Sequence, residues 1–130
     1  MRNAFLTVLL VGGILALLLA GCQGNSQPIA QVDGDTAALI GDVISLDGSA
    51  SVDPDGDPLL FSWEMTRTPK GSQATLTGLD LSDARFTPDL PGEYEVRLVV
   101  SDGELDSSPD ALVIEAMPWF IEVTDEAGVP

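Results

Sequence analysis

Residues 92–103 read "GEYEVRLVVSDG". Tyr94, Val96, Leu98 and Val100 fall on one side of an extended chain and Glu93, Glu95 and Arg97 on the other, so the stretch predicts a strand with one face in a core and one in water. The segment "LLFSWEM" (59–65) repeats the pattern, with Phe61, Trp63 and Met65 inward and Ser62 and Glu64 opposite. Ile44 and Leu46, and Leu112 and Ile114, supply two further inward pairs. Shorter strand candidates lie at 29–33, 36–40, 73–77 and 84–87. Gly, Pro, Asp and Ser break these runs every eight to twelve residues or so, and nothing downstream of the N-terminal segment has helical periodicity.

Seven or eight short strands in about 90 residues predict an all-β, immunoglobulin-like antiparallel β-sandwich over 28–116. Trp63 is expected on a central strand and Tyr94 at the start of a later one, both as core and corner residues. With Cys22 the single cysteine of the chain, no internal disulfide can staple the sheets, so these aromatics and the aliphatic strand faces must hold them.

The chain has 130 residues, room for one domain with appendages. Five basic against 21 acidic side chains and no His give a formal charge of −16, which disfavours contact with nucleic acid or anionic lipid through charge. The N-terminus, "MRNAFLTVLLVGGILALLLAGC", sets one basic residue before an apolar run from Ala4 to Gly21. As a helix that run would span ~27 Å, close to a bilayer core, so its length alone does not separate a removed signal from a retained anchor.

The residues next to the cysteine point to one of these. "LAGC" (19–22) resembles the lipobox of bacterial lipoproteins. That resemblance implies a signal peptide at 1–21, cleavage before Cys22, and a covalent lipid such as palmitate on Cys22 that anchors the protein in the membrane. Several acyl chains on one residue meet the requirement for stable anchoring. A retained span or an ordinary secretory cleavage would export residues 23–130 as well. Loss of 1–21 removes Arg2 and no acid, leaving 4 − 21 = −17. Gln23 stands where the family's inner-membrane retention signal has Asp, which in a Gram-negative envelope implies the outer membrane and the cell surface. Residues 22–27 read as a short polar tether.

The order of "DGSASVDPDGDPLLFSWEM", "PKGSQATLTG" and "ARFTPDLPGEYEVRLVVSDGELDSSPDALVIEA" resembles the PKD domain, the immunoglobulin-like repeat named for polycystic kidney disease. After Trp63, "EMTRTPKGSQA" replaces the "WDFGDG" of the best-known branch and matches a sister pattern with "PxGS". The tail, "PWFIEVTDEAGVP" (118–130), resembles the opening of an FG-GAP-type repeat region, which implies a β-propeller-type domain to follow; a C-terminal strand covering the sandwich explains it equally.

Catalysis needs a nucleophile with a base, or carboxyls of separated pKa in a cleft. No His is present and the lipobox resemblance implies that the one thiol carries lipid, so the chain is expected not to be an enzyme. Metal is the better candidate for chemistry. In "SVDPDGDPLLFSWEM" (51–65), Asp53, Asp55 and Asp57 occupy positions one, three and five of a calcium loop and Glu64 position twelve. The EF-hand match fails, because Pro58 stands where that loop needs Gly and strand pattern would carry Glu64 ~20 Å away.

A turn explains the same residues: Asp53 accepts its own turn's amides, Pro54 presets φ, Gly56 gives a permissive exit and Pro58 starts the strand. Two exposed carboxylates ~4 Å apart repel by only ~1 kcal/mol in water, so charge alone demands no ion. Sandwich geometry, however, brings this loop to the same end as "SDGELDSSPD" (101–110). A Ca²⁺ with six to eight oxygens shared by Asp53, Asp55 or Asp57 and Asp102 therefore stays open beside the turn alone.

The expected function is a non-catalytic, lipid-anchored surface spacer or adhesion module, with an extracellular protein or glycan as partner. The alternative is the N-terminal anchor of a larger exported enzyme or propeller.

Overall fold

Alternation is obeyed where it was clearest. In a computed structural model that describes residues 24–120, Tyr94, Val96, Leu98 and Val100 are each fully shielded from solvent, while Glu93 is exposed and Glu95 and Arg97 are half-buried. Seven strands form: β1 (Asp33–Gly34), β2 (Ala37–Leu39), β3 (Ile44–Asp47), β4 (Leu60–Arg67), β5 (Asp83–Phe86), β6 (Gly92–Ser101) and β7 (Asp110–Met117). They make a three-stranded sheet in the order β1-β3-β5 and a four-stranded sheet in the order β2-β7-β6-β4. No helix occurs among the described residues.

Pairing is antiparallel apart from β2, which runs parallel to β7 with Ala37 opposite Glu115 and Leu39 opposite Met117. The core lies between the sheets: Ile44, Leu46, Ala84 and Phe86 from one, Trp63, Tyr94, Val96, Leu98, Val100, Ile114 and Ala116 from the other. At Gly48, just after β3, the backbone passes so close to the opposite sheet that a Cβ would lie 2.7 Å from Leu98 Cδ2 and 3.0 Å from Trp63 Cζ2.

Three expectations are corrected. The Trp63 strand is not central: β4 pairs only with β6, and its free edge is covered where Trp63 N donates to Leu79 O at 3.0 Å. The long connection 68–82 returns along that edge and supplies the missing partner, which a strand-by-strand reading does not foresee. Segment 29–33 is a strand only at its end, with Ile29 and Val52 forming an isolated bridge, and 73–77 contributes one bridge, Thr77 to Arg85. In both segments side chains alternate, but 29–33 meets neighbouring backbone only at its two ends and 73–77 only at Thr77.

Trp63 and Tyr94 are anchored as core and corner residues. The indole Nε1 donates to Leu81 O at 2.8 Å with the ring almost wholly buried. The Tyr94 hydroxyl lies 2.9 Å from Leu90 O and 3.0 Å from Asp89 Oδ1, closing the turn that precedes β6. The signal-peptide reading of 1–21, Cys22 and the tail from Ile121 lie outside the described residues. Trp119 and Phe120 follow β7 as an exposed edge-to-face pair, ring centroids 4.9 Å apart.

Candidate metal centre

The turn chemistry of 53–58 is realised bond by bond. Asp53 Oδ1 accepts from the amides of Asp55 (2.8 Å) and Asp57 (3.1 Å), and its carbonyl accepts from Gly56 N at 3.0 Å. Gly56 takes φ +81, a left-handed value that favours glycine. These bonds fold the loop back on itself, so carboxylate oxygens of Asp53, Asp55 and Asp57 lie within 4.8 Å of one another.

The β6–β7 loop reaches the same pole. Asp102 Oδ1 accepts from Glu104 N (2.7 Å) and Leu105 N (2.8 Å). Asp102 is not one of the three clustered carboxylates, and its link to them runs through the chain entering the domain. Asn25 Nδ2 donates to Asp102 Oδ2 at 2.7 Å, and the next residue, Ser26, donates its amide to Asp55 Oδ2 at 2.6 Å. Gln27 Nε2 adds a bond to Asp106 O at 2.7 Å. Residues 25–27, read above as tether, thus join both acidic loops. Nothing local in "NSQ" signals this, because its partners stand 29 to 79 residues away.

Electrostatically the pole is poised for a cation. The amides of Leu105 and then Glu104 hold the Asp102 carboxyl below the usual range; burial opposes them, and Asn25 lowers it by less. Asp53 is half-buried; its Oδ2 is enclosed and accepts no hydrogen bond, a costly arrangement for a charged oxygen. Ca²⁺ binds oxygens at ~2.4 Å, so oxygens that lie within 4.8 Å of one another can reach one ion. The donor set, all hard oxygen, fits that ion and not a thiophilic one. Asp110, in the same second loop, has other work: its Oδ2 accepts from Val32 N at 2.7 Å and caps the entry to β1.

Comparison with known proteins agrees with this architecture. The profile of the PKD domain family matches residues 25–111. Collagenase ColA of Clostridium perfringens is 29% identical over 106 residues, 79% of this chain and 9% of that protein. Alpha-amylase MalA of Haloarcula japonica is 38% identical over 69 residues, 52% of this chain and 9% of that protein. Among solved structures, the PKD domain of the KIAA 1837 protein superposes with a TM-score of 0.56 at 28% identity, covering 75% of this chain and 93% of that one. The chain therefore corresponds to about a tenth of the length of these two relatives.

Proposed function

Because the chain belongs to the PKD domain family, we propose that it is an exported, lipid-anchored, non-catalytic spacer and contact module whose acidic pole takes up Ca²⁺. Asp53, Asp55 and Asp57 would hold the ion, and the entering chain ties that cluster to Asp102 through Asn25 and Ser26. The observation that carries this reading is the enclosed, unpartnered Oδ2 of Asp53 within the cluster of Asp53, Asp55 and Asp57. A cation there stiffens the junction through which the chain enters the sandwich. Cys22 stands three residues before Asn25, at most about 11 Å of extended chain. A lipid on Cys22 would therefore keep the acidic pole close to the membrane and turn the opposite pole, with Met117, Trp119 and Phe120, toward a partner protein or glycan.

A second reading, the anchor-proximal domain of a larger exported enzyme, is favoured by the relatives themselves, of which the matched region is only 9%. The spacer role is common to both readings.

Thermal unfolding in rising CaCl₂ tests the cation. A native-state site raises the midpoint in step with the logarithm of the Ca²⁺ concentration once that exceeds Kd, by about 2.7 kcal/mol of stability at a hundred times Kd. Asp53→Asn should abolish the rise. An unchanged midpoint at about 10 mM Ca²⁺, above the range of weak extracellular sites, would leave these aspartates as turn residues only.

A further inference from the structure

A sheet face turned to water is ordinarily polar, but β7 and β2 depart from this on the outside of the larger sheet. Ala111, Val113, Glu115 and Met117 point outward on β7, and Ala37 and Leu39 on the neighbouring β2. Parallel pairing sets Ala37 beside Glu115 and Leu39 beside Met117, so the lane is apolar except at one carboxylate. Leu39 is 42% exposed, Met117 44% and, directly after the strand, Trp119 74%. The lone carboxylate is badly placed: Glu115 stands directly opposite Glu93 on β6. Arg67 reaches Glu93 at 2.8 Å and Glu95 at 3.4 Å from the β4 side, whereas Glu115 takes no ion pair among the described residues.

We propose that this face docks a cationic amphipathic helix of a partner protein, with apolar side chains over Leu39, Val113 and Met117 and one Lys or Arg set between Glu93 and Glu115. Exposed apolar surface rimmed by charge is the mark of a protein contact, and Met and Trp are enriched in such contacts. Charge complementarity selects the occupant. One cation arriving above Glu115 relieves a clash that the free domain leaves standing. A second copy would bring Glu93, Glu95 and Glu115 against their own kind in a chain of formal charge −16, and an anionic lipid surface is opposed in the same way. An added strand is disfavoured because β2 offers three residues and its Leu39 carbonyl is already taken by Asp42 N at 3.1 Å. A helix laid across the lane needs no free edge, and it is a usual cover for a sheet face.

This inference rests on the contact role proposed above but not on the cation or the lipid. The test is an amide NMR titration of the protein, in CaCl₂ and in EDTA, with the helical peptide LKKLLKLLKKLLKL and with SKKSSKSSKKSSKS, which keeps the charge and lacks the apolar stripe. The first peptide should shift the amides of 37–39, 111–117 and 119–120 saturably, and the second should leave them unmoved at the same concentration. Glu115→Lys removes the clash with Glu93, so it should unfold no earlier than wild type yet bind the first peptide at least about fivefold more weakly. Weaker binding by a protein of undiminished stability separates contact from fold. Met117→Ser should weaken binding as well. Silence of the β2 and β7 amides toward the first peptide overturns the proposal, as do equal binding by Glu115→Lys, equal shifts from both peptides, or shifts confined to 53–57 and 102–106. A concentration-dependent dimer in sedimentation equilibrium, broken by Met117→Ser, would assign the face to a second copy instead. Peptide shifts in EDTA without any calcium effect on unfolding would reject the cation and leave the docking face standing.

Discussion

The Tyr94 hydroxyl accepts from Leu90 N at 3.1 Å while lying 2.9 Å from Leu90 O, so one buried oxygen closes the turn onto its strand. Tyr94→Phe keeps the ring against Phe86 but leaves the part-buried groups of Leu90 without their partner, and should cost about 1 kcal/mol in denaturant unfolding. Its neighbour Asp89 is held below the usual carboxylate range, first by the Ser72 hydroxyl and then by the Gln73 amide, with Tyr94 contributing less. A depressed folded-state pKa stabilises above the unfolded value and is lost as the pH falls through the folded one. Asp89→Asn should therefore lower the unfolding midpoint at neutral pH, and the gap from wild type should close below about pH 4.

Among the strands, β4 and β6 carry an ionic lattice on the outer face of the larger sheet. Arg97 meets Glu64 at 3.0 Å and Arg67 meets Glu93 at 2.8 Å, all with side chains at least two-fifths exposed, so each pair contributes at most about 1 kcal/mol. The same face holds a conflict: Glu93 sits directly opposite Glu115 on β7. Like charges so placed destabilise, and Arg67 on the far side relieves only Glu93. Glu115→Lys should raise stability by about 0.2–1 kcal/mol, and added salt should shrink the gain. At the free edge of β4, the bond from Trp63 N to Leu79 O covers backbone that would otherwise invite another strand.

On the scale of the molecule, the two ends of the sandwich differ in kind. One gathers Asp53, Asp55, Asp57 and Asp102 with the entering chain; β7 starts there at Asp110 and leads to the exposed Met117, Trp119 and Phe120. If lipid on Cys22 orients this body, metabolic labelling with palmitate should mark the wild type and not Cys22→Ser. Label on both proteins would remove the lipid anchor while leaving the fold and both proposed sites untouched.

Local sequence determined the strands whose side chains alternate without interruption, the Asp53 turn and the burial of Trp63 and Tyr94, because each follows from backbone geometry within a few residues. The family resemblance read from those segments covers much the same stretch as the profile match. What the sequence could not determine was every feature made by residues far apart in the chain. Gly48 is spelled as a turn residue, yet its lack of a side chain also lets Leu98 and Trp63 of the other sheet approach. Asn25 and Ser26 look like linker until two loops arrive beside them. Glu93 and Glu115 stand together, beside Met117 and Leu39, only because β7 takes its register from β6 and β2. Periodicity reports which way a side chain points, and only the packed chain decides what it meets.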